Sequence, residues 1–454
     1  RFVNKGPGRP VFPAQMRAEM IAALAPVDGV AINDAATAEP VLDALRPDFY
    51  VKGAEYADET ADITGGITRE RLAVERHGGQ LVFTDDVVFS SSSLINKHLN
   101  IYQPELRDYL HRVRDDGLME RALGLIEDAR DLKVLLIGDA IIDEYQYVQP
   151  MAKSPKENLI ATLFQEREIF AGGVIAAANH VANLCARVDV ITALGTGSDG
   201  YEELVRQSLH PEIGLEILHR DGKPTTRKCR FIDPGYLRKL FEVYVMEDAP
   251  LDPALEQRLL TLLAERAGDY DLVLVTDFGH GLITPPVIEA LSRHARFLAV
   301  NAQTNSANLG FNLITRYPRA DFLCLDAPEA RLATADKYGD LGQVASKLAA
   351  HAGCQRVIIT HGKQGCLAWD ATGDGVEVTR IPAFTGTVVD TVGAGDAFLS
   401  ITAPLVAAAQ ARSSAMADIA FIGNAAGAIK VGIVGHRRSV EKASLLKFLT
   451  ALLK

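Results

Sequence analysis

Residues 390–398 read Asp-Thr-Val-Gly-Ala-Gly-Asp-Ala-Phe. Gly393 and Gly395 flank Ala394, so the backbone can turn tightly and present successive N–H groups. A long Ala-rich helical pattern follows, and its N-terminus adds partial positive charge. Asp396 sits at the start of that helix, beside those donors. The combination suits phosphoryl transfer: the amides stabilise charge on the migrating group, and the carboxylate takes the proton from an attacking hydroxyl. A helix N-cap after a glycine turn explains the same residues without chemistry. Spacing alone leaves both readings open.

The stretch does not stand alone. Gly138-Asp139 and Asp143 close an apolar run, and Gly172-Gly173 form a pair. Gly195, Asp199 and Gly200 mark a turn, and Thr360, Gly362 and Gly365 lie in Thr-His-Gly-Lys-Gln-Gly. In this order, across residues 131–454, they resemble the PfkB (ribokinase-like) carbohydrate kinases. The resemblance implies a ribokinase-like α/β fold: a mainly parallel sheet covered by helices, with a small β lid. It implies Asp396 as catalytic base, with an anion hole at Gly393, Ala394 and Gly395. Asp139 and Asp143 would hold substrate hydroxyls, beside Gly172 and Gly173. Thr360, Gly362 and Gly365 would bind nucleotide, with Asn424 and Gly427 lining the adenine pocket on a late helix. Glu329 stands in Asp-Ala-Pro-Glu where the family has Asn-x-x-Glu, which organises Mg²⁺ and phosphate. Asp390 and Thr391 lie where related kinases bind a monovalent cation (K⁺). ATP and Mg²⁺ are the implied cofactors, and a sugar or sugar phosphate the implied substrate.

Within that family the opening Gly-Asp-Ala-Ile-Ile-Asp-Glu-Tyr-Gln-Tyr and Ser154-Pro155 are similar to the heptose-phosphate kinases of bifunctional enzymes that make nucleotide-activated heptose. Three departures rewrite the sugar pocket relative to that subgroup. Ala176 replaces an Asn, with Asn179 and His180 further along. Asn301-Ala302-Gln303 stands for Asp-Pro-Lys, and His280 for a Lys.

Residues 1–100 resemble the latter part of a cytidylyltransferase-like nucleotidyltransferase domain. The matching pieces are Lys5–Pro10, Arg17, Asp48–Ala54 and Ser90–Ser93. The His-x-Gly-His signature that stabilises the transferring phosphates is absent: none of the eleven His residues pairs at that spacing. The first residue is Arg, so the first strand and its His-x-Gly-His are expected upstream. Lys52 and Ser91–Ser93 would mark a nucleotide pocket, or else be a surface Lys and a helix N-cap.

These residues need elements to place them. Val27–Ile32, Asp48–Lys52 and Leu81–Phe83 read as strands, with helices at Ala14–Leu24 and Ala38–Leu45. This predicts a partial Rossmann-like α/β domain over 1–100. Pro104–Arg130 is charged and Leu-rich and reads as a helical connector over 101–130. Apolar strands at Val134–Ile137, Asp189–Leu194, Leu272–Thr276, Phe297–Val300, Phe322–Leu325 and Val357–Thr360 alternate with helical stretches. Such runs belong in a parallel sheet buried on both faces. Lys228–Ile232 and Leu240–Met246 suit an antiparallel flap. Asp396–Ala411 and Met416–Val431 read as closely packed helices. The flap carries Arg227, Lys228 and other cations, either solvated or contacting a substrate phosphate. In the resembled family such strands form a lid and a dimer contact, which implies a homodimer. Gly195–Gly200 also fits Gly-x-Gly-x-x-Gly, with Glu216 roughly twenty residues on. Its strand, however, is not the first of its domain. No Gly-x₄-Gly-Lys-Ser/Thr occurs, so P-loop chemistry is excluded.

Composition bounds the rest. The 454 residues are 48% hydrophobic and 23% charged, ordinary for a globular chain. Lys+Arg total 47 against 58 Asp+Glu, a net charge of −11. That disfavours nucleic acid as the main partner. Five cysteines with no Cys-x-x-Cys fit a reducing, cytoplasmic setting. Neither a signal peptide nor a membrane span is expected. Besides a kinase, two other readings are open. One is a nucleotide-binding regulatory protein on a degenerate kinase fold. The other is a protein whose main activity is nucleotidyl transfer.

Overall fold

The computed structural model describes residues 10, 12–35, 37–53, 56, 62, 65–84, 102–153, 156–197, 200–235, 237–410 and 415–454. Lys5–Arg9, Ala54, Ser90–Ser93, Ser154-Pro155 and Asp199 lie outside them. The chain divides into two compact units, residues 1–119 with 441–454, and residues 120–440.

In the first unit β1 (Phe49–Lys52) pairs in parallel with β2 (Gln80–Phe83). The helices Glu39–Leu45 and Gly66–Glu75 pack through Leu42, Ala73 and Val74. The expected helix at Ala14–Leu24 forms over Ala14–Ala22. The expected strand at Val27–Ile32 does not form. The segment has no regular secondary structure, Val30 and Ile32 are exposed, and it has no ladder neighbour among the described residues. A short apolar run becomes a strand only where an edge receives it. The Lys52 ammonium pairs with Glu70 at 2.7 Å and lies over the Tyr50 and Tyr56 rings. The stretch expected to be a helical connector forms two helices, Pro104–Asp115 and Leu118–Asp128, broken at Gly117, whose φ is +70°.

The second unit is built on a nine-stranded sheet. Its strands are β3 (Lys133–Gly138), β6 (Arg187–Gly195), β7 (Gly214–Arg220), β10 (Leu272–Asp277), β11 (Leu298–Ala302), β12 (Phe322–Asp326), β13 (Arg356–Thr360), β14 (Cys366–Asp370) and β15 (Glu377–Ile381). Their order is β15-β14-β13-β12-β11-β10-β3-β6-β7, and only the β13–β14 and β14–β15 pairs are antiparallel. β10 and β11 are buried along their whole length, as strands covered on both faces must be. Leu135, Val273 and Val300 face the helices Pro253–Arg266, Pro285–His294 and Leu341–Ala352. The helices Val174–Ala182 and Ala394–Ala408 pack on the sheet as well, the second against Met416–Lys430.

A separate four-stranded sheet holds β4 (Ala140–Lys153), β5 (Ile160–Gly173), β8 (Arg227–Asp233) and β9 (Arg238–Val245), in the order β5-β4-β8-β9. The expected flap is its β8–β9 half. The long β4–β5 hairpin was hidden in the sequence, because the middle of β5, Gln165–Glu168, is a polar run that breaks any apolar alternation. β4 leaves the main sheet one residue after β3 ends, so Asp139 and Asp143 are carried from core into lid.

Candidate active site

A cleft of about 790 Å³ opens over the carboxyl ends of β10–β13 and beneath the lid. Ligands of α/β sheets bind at that end of the strands, and this volume is in the usual range for small-molecule sites. Asp143, Gly173, Lys228, Glu329, Thr360, Gly362, Gly365, Thr391, Gly393, Ala394, Gly395, Asp396, Asn424 and Gly427 all line it. Residues chosen from segments almost 290 positions apart therefore meet in one place.

The floor is the turn before Ala394–Ala408. Gly393 caps that helix at φ +74°, and a Cβ there would lie 2.6 Å from His436 Cε1. Only glycine meets both demands. The Ala394 N–H is spent on the Thr391 carbonyl at 3.2 Å. The N–H groups of Gly393, Gly395 and Asp396 have no acceptor among the described residues, so of the expected anion-hole amides Gly393 and Gly395 stay available, with Asp396 added. Asp396 is buried, and burial raises its pKa above the usual carboxylate value. The nearby Asp143 charge adds to this, while His436, Lys430 and Gln303 oppose it. Gln303 Nε2 donates to Asp396 Oδ1 at 2.9 Å. That leaves Oδ2 for a hydroxyl proton.

On the lid side, Asp143 is clamped by Arg230 Nη1 and by His436 Nε2, the latter at 3.2 Å. Burial alone would raise its pKa, but these two partners outweigh it and hold the carboxyl well below the usual range. Gly172 makes room: a Cβ there would fall 2.1 Å from Asp143 Oδ2. At Gly173, φ is +60° and a Cβ would lie 2.3 Å from the Asp139 carbonyl oxygen. Lys228 is buried against the Tyr244 and Phe278 rings. Desolvation lowers its pKa, and Asp143 and Asp139 partly restore it.

On the other side, Thr360, Gly362, Lys363 and Gly365 border an apolar slot with Phe384, Val388, Gly427 and Val431. Asn424 Nδ2 donates to the Pro382 carbonyl at 2.7 Å and ties the late helix to the slot's rim. Asp326 and Glu329 form a capping box: the Glu329 N–H donates to Asp326 Oδ1 at 2.8 Å, and Glu329 Oε2 accepts from the Asp326 N–H. Burial, then the Asp326 charge, pushes Glu329 up to about 8. Asp326 is raised as well, chiefly by burial. The Asp that replaces the family's Asn is thus a second acidic oxygen donor at the cleft.

Four singled-out residues stand behind the cleft wall. Asp139 is buried, and its Oδ2 accepts from the N–H groups of Phe278 and His280 at 3.0 and 3.3 Å. Gly172 acts through the space it leaves. Arg227 pairs with the buried Glu144 at 3.0 Å. Asp390 is enclosed by Tyr145, Lys239 and two backbone amides. Sequence reasoning missed His436 and Lys430, and did not connect Arg230 to Asp143. Arg230 was visible as one of the lid cations, whereas His436 and Lys430 lie in no motif. Gln303 and Asn301 were noted as departures. Asn301 Nδ2 bonds the Cys324 carbonyl, and its Oδ1 is buried at the cleft without a partner among the described residues.

Residues 131–443 match the profile of the pfkB family carbohydrate kinases, and residues 1–98 match the cytidylyltransferase-like profile. The chain belongs to the pfkB family of carbohydrate kinases. It is 28% identical over 314 residues to the bifunctional protein HldE of Citrifermentans bemidjiense, covering 68% of this chain and 62% of that one. The HldE of a Bradyrhizobium species is 29% identical over 322 residues, with 69% and 62% covered. The chain thus spans about three fifths of these relatives. Among solved structures it resembles phosphofructokinase-2 from Escherichia coli in complex with potassium (TM-score 0.55, 16% identity, 70% of this chain and 99% of that one). A ribokinase from Thermotoga maritima gives a TM-score of 0.52 at 19% identity, with 70% and 99% covered. These two show the ribokinase-like fold.

Proposed function

We propose that residues 131–454 transfer a phosphoryl group from ATP to a hydroxyl of a sugar or sugar phosphate. In this reading residues 1–100 are a nucleotidyltransferase-like domain, 101–130 a connector, and the product serves the making of a heptose-like nucleotide sugar in the cytoplasm. The observation that carries it is Asp396. A buried carboxylate with a raised pKa stands at a helix N-terminus where the Gly395 and Asp396 amides have no acceptor among the described residues. The acceptor lies between Asp143 and Asp396, with Asn301 Oδ1 and Lys228 as further polar partners. Asp396 Oδ2 takes the hydroxyl proton, and the Gly395 and Asp396 amides stabilise charge at the group in flight.

The apolar slot by Phe384 and Val431 takes a nucleobase, and the Thr360–Gly365 turn borders its phosphates. Mg²⁺ bound with the nucleotide supplies charge neutralisation across the phosphates. Asp326 and Glu329 fit such a cation: both are acidic, they stand at the cleft with Asp326 exposed and Glu329 half-buried, and the raised pKa of Glu329, owed to desolvation and then to the Asp326 charge, is one a divalent charge would relieve. One or two carboxylates, with phosphate and water oxygens, are what Mg²⁺ usually takes from a protein.

ATP turnover with a panel of sugars and sugar phosphates tests the reading. Asp396→Asn is expected to lower kcat by about 10²-fold or more, and equal turnover by the two proteins would discard the assigned base. The lid leaves Leu163, Phe164, Phe241 and Val243 exposed. A second copy of the chain is the proposed cover, and sedimentation equilibrium is expected to give a dimer mass.

A further inference from the structure

Lys430, the last residue of the helix Met416–Lys430, has no solvent exposure. Its ammonium donates to the Val392 and Gly435 carbonyls, each at 2.7 Å. Val392 belongs to the turn that carries the anion donors, and Gly435 to the loop that carries His436. One charge therefore ties together the two loops that meet under the phosphate turn. Its Cε is 3.3 Å from where a Cβ on Gly393 would be. Burial pushes the Lys430 pKa down to about 8, against the opposing charges of Asp390, Asp396 and Asp143, so the group stays mostly protonated at neutral pH.

The resemblance places a monovalent metal ion at Asp390 and Thr391, and the surroundings of Asp390 do not fit one. Asp390 Oδ1 accepts from Lys239 Nζ and the Val392 N–H, both at 3.1 Å. Its Oδ2 accepts from the Tyr145 hydroxyl at 2.6 Å and the Gly435 N–H at 2.8 Å. Each oxygen already has two donors. The two carbonyls that converge beside it are held by the ammonium, and a metal ion at that point would meet a positive charge at contact distance.

We propose that the Lys430 ammonium is a built-in monovalent cation, a positioning residue that holds the phosphate turn in place of an exchangeable K⁺. Only its activity arm rests on the kinase reading above. Rubidium soaked into crystals of the wild-type chain is expected to give no anomalous peak between the Val392 and Gly435 carbonyls. In Lys430→Ala, which vacates the position, a peak is expected there. In turnover assays the wild-type rate is expected to change by less than about twofold when potassium is exchanged for tetramethylammonium. Lys430→Ala is expected to lose about tenfold or more in tetramethylammonium and to regain part of it with potassium or ammonium. A rubidium peak at those carbonyls in the wild type, or a wild-type rate that collapses without potassium, overturns the proposal, even if Lys430→Ala does not fold. If no acceptor is phosphorylated in any buffer, the kinase reading fails, while the rubidium measurement still decides the ammonium.

Discussion

In the proposed mechanism Asp396 is the base, and Gln303 sets its working range. The Gln303 amide donates to Oδ1 and so favours the charged carboxylate, opposing the burial that raises its pKa. A base is active when deprotonated, so activity fades as pH falls through that raised value. Gln303→Leu removes the donor and is expected to move the acid limb of kcat/KM to higher pH, while kcat above the limb changes less than in Asp396→Asn. A pH–rate profile of the two proteins checks this, and an unmoved limb would release Gln303 from the role. Asp396 itself was legible, because the family resemblance rests on contiguous residues around it. Its partner was not. Gln303 is 93 positions away in sequence, and nothing in Asn-Ala-Gln announces a carboxylate on the far side of the cleft.

At the scale of elements, the paired helices Ala394–Ala408 and Met416–Lys430 decide whether the two halves of the site meet. One begins at the anion donors, and the other carries Asn424, Gly427 and Lys430. Their close approach needs Gly423, where a Cβ would lie 2.4 Å from Thr402 Cγ2 and 2.8 Å from Phe398 Cζ. Gly423→Val is expected to overpack this contact and cost about 1–3 kcal/mol of stability, read as a lower urea midpoint. The Ala-rich composition foretold close packing of these helices. The lid was only half foretold, since β8 and β9 alternate in polarity and β5, with its polar run Gln165–Glu168, does not. The failed strand at Val27–Ile32 shows the converse: a short stretch of apolar residues interrupted by Asp28-Gly29, with no ladder to join among the described residues, stays as coil.

Across the second unit as a whole, burial makes stability depend on pH. His180 is wholly buried and neutral, and accepts from the Val440 N–H at Nδ1, 3.0 Å away. Desolvation, then the Lys430 and His436 charges, lowers its pKa from 6.5 to about 3. The unfolded chain binds that proton near pH 6.5 and the folded chain does not. The contribution is therefore complete above pH 6.5 and is lost as pH falls toward 3. His180→Asn keeps an acceptor without the titration. It is expected to flatten the stability–pH slope in that window by about 1.4 kcal/mol per unit, measured by denaturant unfolding across pH.

Local information was enough for the catalytic turn, the glycines and the apolar strands, because a tight turn, a helix start and a doubly buried strand each leave a mark within a few residues. Four features had no such mark: Arg230 and His436 on Asp143, Gln303 on Asp396, the Lys430 ammonium between two loops, and the enclosure of Asp390. Each depends on side chains from distant segments brought to hydrogen-bonding distance in a dry interior. There a charge is tolerated only where partners converge on it, and convergence is a property of packing rather than of spacing along the chain.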